Sequence, residues 1–249
     1  MTSFRPLVRA SAAACGALLA LAGGLSLGDP AQARGRHHGH AVGAPVVVEL
    51  YTAQGCSNCT KANGVVEDLT SRKDVLPLTF SVDYWDYLGW EDTLAKSEFA
   101  TRQRAYVQRL KVREIYTPEI VVGGAAEGPA VDGKTIDGLI KTAVAAHHGG
   151  PHIHLLRHAT RVQLGGPGAP AEVWLVRYDP KDQTVRIKSG ENKGKTVVVH
   201  NAVRELKRLG VWHGKSKTYP IPAAEDEGLK TVVLVQIPKG GRILAMARG

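Results

Sequence analysis

Two cysteines three positions apart are the residues of this sequence best suited to chemistry. Cys56 and Cys59 follow the apolar run 45–51 and stand where a pattern of helical spacing begins. A cysteine at a strand-to-helix turn faces the unpaired N–H groups and the positive dipole end of the new helix, which stabilise its thiolate and lower its pKa. We therefore expect Cys56 to be an accessible nucleophile. Cys59, one helical turn further on, is the candidate resolving thiol.

These cysteines must be positioned by the elements around them. The β-branched run 45–51 predicts a buried strand, and residues 57–71 predict a helix with Val65, Val66 and Leu69 facing inward. The next elements predicted by periodicity are a strand at 75–83, a helix at 94–110, strands at 120–122 and near 130–131, and a helix at 134–147. The order of elements is therefore β-α-β-α-β-β-α.

Four aromatic residues lie within seven positions between the second strand and the second helix, beside two aspartates. Such a stretch cannot all be core, so it is either a packed cover over the sheet edge or a platform for apolar parts of a substrate. The candidate substrate-binding residues are aromatic: Tyr84, Trp85, Trp90 and, further on, Tyr116. Asp83 or Asp86 is the candidate proton acceptor for Cys59 during exchange.

The element order, together with a Thr-Pro pair before the third strand, resembles the thioredoxin superfamily. The stretch from Tyr51 to Cys59 resembles glutaredoxins in particular. In that superfamily the proline is cis, packs against the dithiol and lets the backbone of the preceding residue pair with substrate. The resemblance therefore implies a cis bond between Thr117 and Pro118, and it implies catalytic roles for both residues.

Nearly the whole chain after residue 44 also resembles a secreted bacterial thioredoxin-like family catalogued as domain of unknown function 1223. The matching stretches are 48–52, 55–56, 82–90, 102–106, 116–118 and 190–192. In the pattern that this resemblance implies, a histidine stands where this chain has Ser81, and a glutamine stands where it has Glu119.

The sequence after residue 150 changes its period. Alternation and turn residues predict six strands, at 153–164, 172–178, 184–188, 195–203, 230–237 and 242–247. We therefore expect an α/β protein: a thioredoxin-like fold with a helical insertion over 45–148, followed by a β-rich, sandwich-like domain over 149–249.

The first 44 residues predict export. Residues 1–33 have the charged start, the small apolar core and the Ala31-Gln32-Ala33 cleavage site of a secretory signal peptide, and residues 34–44 form a His-rich linker. Cleavage near Ala33 removes Cys15 and leaves two cysteines in the mature chain. A periplasmic or secreted location favours a redox pair over a reduced metal site.

The distribution of charge along the sequence indicates which kinds of partner the protein could attract. Residues 1–44, 45–148 and 149–249 carry net charges of +3, −3 and +9. The basic last segment is either a solvated surface or a source of weak attraction to anionic surfaces. The sequence lacks a phosphate-binding glycine loop and any recognised nucleic-acid motif, so we expect no nucleic-acid partner and no cofactor.

Three functions compete. The first is an exported thiol-disulfide oxidoreductase acting on an unknown protein or small thiol. The second is a copper- or zinc-handling protein that combines the dithiol with histidines, although a single Cys-x-x-Cys is a weak zinc signal. His152, His154 and His158 would share one face if their strand were continuous. The third is a binding module in which the disulfide only closes the turn.

Overall fold

The hydrophobic strands on either side of the cysteine pair form part of one large mixed sheet. The computed structural model describes residues 45–249, so the predicted signal peptide and His-rich linker lie outside the described residues. The elements of the first half are β1 (Val46–Thr52), α1 (Cys59–Thr70), β2 (Val75–Ser81), α2 (Ser97–Leu110), β3 (Glu119–Val122), β4 (Ala126–Pro129) and α3 (Gly133–Ala145). A single 3-10 turn covers Asp86–Leu88. The observed order agrees with the predicted one.

The second half contributes strands. They are β5 (His152–Leu156), β6 (Arg161–Gly165), β7 (Ala171–Asp179), β8 (Gln183–Arg186), β9 (Thr196–Val199), β10 (Ala202–Trp212), β11 (Lys217–Pro220), β12 (Lys230–Gln236) and β13 (Ile243–Arg248). None of the helices within 45–249 is long and apolar enough to cross a membrane.

One sheet of eight strands runs through both halves, in the order β13-β12-β7-β10-β2-β1-β3-β4. β1 lies parallel to β2 and antiparallel to β3. The halves meet where β10 pairs in parallel with β2 at one register position, Ala202 opposite Thr79. Asn201 reinforces this junction by donating from Nδ2 to the carbonyl oxygen of Pro77 at 2.9 Å. The prediction of an α/β protein is confirmed. The eight-stranded sheet contains strands from both sides of residue 149, the predicted start of the second domain.

Helices cover both faces of the first half. Val48 and Leu50 of β1 point to the face where α1 and α3 pack, and Val47 and Tyr51 point to the face where α2 packs. This alternation follows from the two-residue period of a strand. A separate three-stranded sheet, in the order β11-β6-β5, packs on the part of the eight-stranded sheet that the second half of the chain contributes. It lies on the same face of that sheet as α1 and α3.

A buried ion pair joins the two halves beneath α2. Arg102 donates through Nε and Nη2 to both carboxylate oxygens of Glu49, at 2.9 and 2.8 Å, and through Nη1 to Oε1 of Gln236 in β12 at 3.0 Å. Glu49 also accepts from the hydroxyls of Tyr51 and Tyr106. Every oxygen of this buried carboxylate is therefore paired, which is what a charge removed from water requires.

Several strand predictions were wrong in detail. β4 lies at Ala126–Pro129 rather than near 130–131, and residues 195–203 span β9 and the start of β10 rather than one strand. Residues 153–164 form a hairpin rather than one strand, because the backbone turns through positive φ angles at Arg157, His158 and Ala159. His158 is therefore not on the strand with His152 and His154. The prediction also stopped at residue 203, whereas β10 runs on to Trp212. Two register shifts along β10 break the apolar alternation that would have revealed it.

Candidate functional site

The cysteine pair lies where β1 passes into α1. Two successive turns lead there, with the N–H of Cys56 donating to the carbonyl oxygen of Ala53 and that of Cys59 to the carbonyl oxygen of Cys56, each at 3.2 Å. The two cysteines form a disulfide with Cα atoms 5.4 Å apart. Both sulfur residues belong to the apolar cluster on the α2 side of the sheet. The strand, the turn and the first residue of the helix thus fix their positions.

In this disulfide state neither cysteine is accessible, and the greater accessibility expected of Cys56 as a reduced thiol stays a prediction. Cys56 is 2% exposed and Cys59 is 1% exposed. The dithiol turn, residues 53–58, packs closely against the aromatic stretch, since a Cβ at Gly55 would lie 3.5 Å from the Cβ of Trp85. A partner sulfur has no open path to Cys56 in this arrangement.

Asn192 covers the dithiol turn from the other half of the chain. Its Nδ2 donates to the carbonyl oxygens of Gln54 and Cys56, at 2.7 and 3.1 Å, and the side chain is 1% exposed. Lys195 fixes the orientation of this amide, because its Nζ donates to Oδ1 of Asn192 at 2.8 Å. Sequence reasoning missed this role. The signal was present in the stretch 190–192, which matched the family resemblance without a function attached to it.

Gln54 anchors the turn to the segment before α2. Its backbone N–H donates to Oδ2 of Asp92 at 2.7 Å, and its Oε1 accepts from Nε1 of Trp90 at 2.8 Å. Burial raises the pKa of Asp92 to about 6, although the N–H groups of Gln54 and Leu94 oppose the shift. Trp90, expected to bind substrate, is therefore occupied in holding the turn.

The aspartates chosen from the sequence have other partners. Oδ1 of Asp86 accepts from the backbone N–H of Asp92 at 3.1 Å, and burial raises the pKa of Asp86. Asp83 is half-buried and accepts the N–H of Asp86 through its backbone carbonyl. Among the described residues no hydrogen bond links either carboxylate to Cys59.

A different acid stands on the dithiol's side of the sheet. Glu119, the first residue of β3, lies opposite Tyr51 and is fully buried. Oε2 accepts from Nε2 of Gln103 at 2.6 Å, and Oε1 has no partner among the described residues. Burial raises the pKa of Glu119 to about 7, and the negative charges of Glu127 and Glu49 add to the shift. Sequence reasoning noted Glu119 only as a departure from the family pattern.

The remaining aromatic candidates are all partly buried. The Tyr84 hydroxyl donates to Oε1 of Gln103 at 3.2 Å, and the Tyr116 hydroxyl donates to Oε2 of Glu127 at 2.7 Å. Trp85 packs on the apolar cluster, and its buried Nε1 lacks a partner within the described chain. The aromatic residue that faces solvent is Tyr87, which is 80% exposed. The stretch is thus arranged more like the packed cover than like an open platform.

The Thr-Pro pair lies at the same end of the sheet as the dithiol turn. The Thr117-Pro118 bond is cis, as the resemblance implied. Because Glu119 pairs with Tyr51 near the end of β1, the two preceding residues lie beside the point where β1 leads into the dithiol turn. The Pro118 carbonyl accepts from the N–H of Ala130 at 3.2 Å, and the buried Oγ1 of Thr117 lacks a partner among residues 45–249.

His152 and His154 lie away from the dithiol. His152 and His154 line a cavity of about 750 Å³, together with Val46 at the opposite end of β1 and Arg242. Within the described part of the chain, no group of three or more His, Cys, Asp or Glu side chains is placed to hold a metal ion.

Fold and site together define a class: a mixed α/β protein with a covered disulfide at the end of a central strand. The chain belongs to the family described as Protein of unknown function (DUF1223), whose profile matches residues 47–236. It is similar to a protein from Agrobacterium tumefaciens solved by X-ray crystallography, with 27% identity and a TM-score of 0.68. That match covers 82% of this chain and 92% of the other. No curated protein matches the chain significantly.

Proposed function

We propose that the protein is an exported thiol-disulfide oxidoreductase with a thioredoxin-like first half. The observation that carries the proposal is the position of Cys56 and Cys59, which close a disulfide where a central strand passes into a helix. The strand order β2-β1-β3-β4, with α1 and α3 on one face and α2 on the other, supports the thioredoxin-like assignment. Fold alone would not establish the activity.

The exchange proceeds in two displacements. A partner thiolate attacks Sγ of Cys56, the bond between Cys56 and Cys59 breaks, and Cys59 leaves as a thiolate that takes up a proton. A second thiolate of the partner then attacks the partner sulfur of the mixed disulfide, and Cys56 leaves as a thiolate. Two electrons pass from the partner dithiol to the protein, and the reverse sequence reduces a partner disulfide.

Glu119 replaces Asp83 and Asp86 as the proposed proton acceptor. It lies on the dithiol's side of the sheet and has one unpaired oxygen. A pKa of about 7 lets the carboxyl group both take and return a proton near neutral pH. Thr117 and Pro118 are proposed to present a backbone edge to the partner beside the same turn.

The proposed location is the periplasm or the exterior, on the basis of the signal peptide predicted over residues 1–33. The proposed partner is an envelope protein or a small molecule that carries a thiol or a disulfide. The net charge of +9 on residues 149–249 would add weak attraction to anionic surfaces.

Burial of both cysteines favours a second candidate function. A disulfide that is almost wholly covered also suits a binding module in which the bond only closes the turn. The two functions differ in reduction potential, because structural disulfides have potentials below about −300 mV. For an exchange protein we expect a value between about −270 and −120 mV. Equilibration with glutathione buffers or, for more negative values, dithiothreitol buffers, followed by counting of free thiols, measures it.

Trapping tests the proposed activity directly. The variant Cys59→Ala, expressed in the native envelope, should accumulate mixed disulfides through Cys56, because the resolving thiol is missing. The double variant Cys56→Ala, Cys59→Ala is the control and should trap nothing. No adduct from the single variant, combined with a potential below about −300 mV, would establish the structural role instead.

A further inference from the structure

The segment that covers the dithiol is built as a separate small unit. Residues 187–195, here called the cover loop, connect β8 and β9 and are closed by backbone bonds between Ile187 and Lys195 and between Gly194 and Ile187, each 2.9 Å long. β8 and β9 pair with each other in a two-stranded sheet that is not part of the eight-stranded one. Lifting of the cover loop from this base would therefore break no hydrogen bond of the main sheet.

Few groups fasten the cover loop over the dithiol. Ile187 packs in a small cluster with Leu94, Val197 and Val199, at the base of the hairpin. Nearer the tip, Lys188, Lys193 and the other charged side chains are exposed, whereas Asn192 is buried. Among the described residues, the side-chain hydrogen bonds from the loop to the dithiol turn are the two donated by Asn192. Gly190 also packs closely against Leu88 and Trp90, so the Asn192 amide is the polar fastening of a loop tip that is otherwise held by packing.

We propose that Asn192 controls access to the dithiol. In the closed state its amide binds the carbonyl oxygens on both sides of Gly55, and Cys56 is covered. In the open state the cover loop lifts from its base, the amide bonds pass to water, and Sγ of Cys56 meets an incoming thiolate. The inference rests on the proposed function for its biological use, but access itself is measurable without any partner.

The test is the rate at which dithiothreitol reduces the disulfide of the folded protein. The reductant's thiolate attacks Cys56, and its second thiol closes a ring, so the protein gains two thiols and the reductant becomes a cyclic disulfide. Asn192→Ala removes both bonds, each a neutral hydrogen bond of modest net strength. We expect reduction to be roughly five-fold to a hundred-fold faster than in the wild type. Quenching by alkylation and mass measurement gives the rates.

Two further variants separate the role of the amide from general damage to the loop. Lys193→Ala removes a neighbouring exposed side chain that makes no hydrogen bond within the described residues, so its rate should stay within about two-fold of the wild type. Lys195→Ala removes the hydrogen bond that Lys195 donates to Oδ1 of Asn192 and should accelerate reduction by roughly two-fold to five-fold. The rates should be unaffected by low urea concentrations, since a local opening exposes little surface.

Three results would overturn the proposal. The first is a wild-type disulfide that is reduced as fast as oxidised glutathione. The second is an Asn192→Ala rate equal to that of the wild type. If Asn192→Ala does not fold, Lys195→Ala decides, because the exposed Lys195 loosens the same amide from outside the buried contact: a reduction rate equal to that of the wild type would then overturn the proposal. Failure of trapping, with faster reduction in Asn192→Ala, would reject the oxidoreductase and leave access control intact.

Discussion

Glu119 is a buried acid whose position has a measurable effect on stability. Burial raises its pKa to about 7 in the folded protein, from an ordinary value of 4.5. Because the folded-state pKa is raised, the folded protein binds this proton more tightly than the unfolded chain does. The contribution to stability is fully present below pH 4.5 and is lost as the pH rises through 7.

Glu119→Gln should remove this part of the pH dependence. Glutamine has the same shape and no charge, and its carbonyl oxygen can still accept from Gln103. We expect the free energy of unfolding at pH 8 to rise by roughly 2–3 kcal/mol relative to the wild type, with little difference at pH 4. Urea unfolding at both pH values measures it. Glu114→Gln, at an exposed position, is the control, and an equal response of both variants would refute the assignment.

Sequence reasoning found the cysteine pair but not its surroundings. The cysteines were visible because a Cys-x-x-Cys at a strand-to-helix turn carries its own chemical meaning. Glu119 and Asn192 were missed because their roles depend on which distant residues lie beside them. Gln103 faces Glu119 from a helix, and Asn192 reaches the dithiol turn across 136 positions of sequence. Local spacing contains no information about either contact.

At the scale of elements, the position of each cysteine relative to the start of α1 should make the two thiols differ in reactivity after reduction. Cys59 is the first residue of the helix, whereas Cys56 lies in the turn before it, facing the helix N-terminus. We expect the single-cysteine variant Cys59→Ala to react with iodoacetamide at pH 6 faster than Cys56→Ala, by roughly ten-fold or more. Mass spectrometry follows the reaction. A faster reaction at Cys59 would reverse the two roles.

The elements themselves were predictable to different degrees. The strands and helices of the first half follow from clear periods of two and about four residues. β10 was cut short because its two register shifts displace the apolar residues from regular alternation. β11, with four residues, is too short for a periodic signal. The joining of β10 to β2 was not predictable, since one pair of residues more than 120 positions apart defines it.

At the scale of the whole molecule, Arg102 should be more important for stability than any exposed arginine. Arg102→Met leaves the carboxylate of Glu49 buried without its partner, and we expect a loss of about 3–5 kcal/mol in the free energy of unfolding. The double variant Arg102→Met, Glu49→Gln should recover much of that loss, because no unpaired charge remains. Arg104→Met, on the exposed side of α2, is the matched control and should change stability by less than about 0.5 kcal/mol.

The same contacts predict how the described part of the chain unfolds. The continuous sheet and the bonds from Arg102 to both Glu49 and Gln236 couple residues 45–148 to residues 149–249. We expect one cooperative transition, with the signals of far-ultraviolet circular dichroism and tryptophan fluorescence coinciding. Two separated transitions would show that the halves are independent domains.

The distance in sequence between the dithiol and its cover also sets an order in time. Asn192 is synthesised 136 residues after Cys56, an interval on the order of ten seconds at ordinary translation rates. The cysteines therefore leave the ribosome, and in an exported chain enter the next compartment, ahead of the segment that shields them. Until the last third of the chain docks, both thiols are open to whatever oxidant they meet. A disulfide formed in that interval would precede closure of the cover loop.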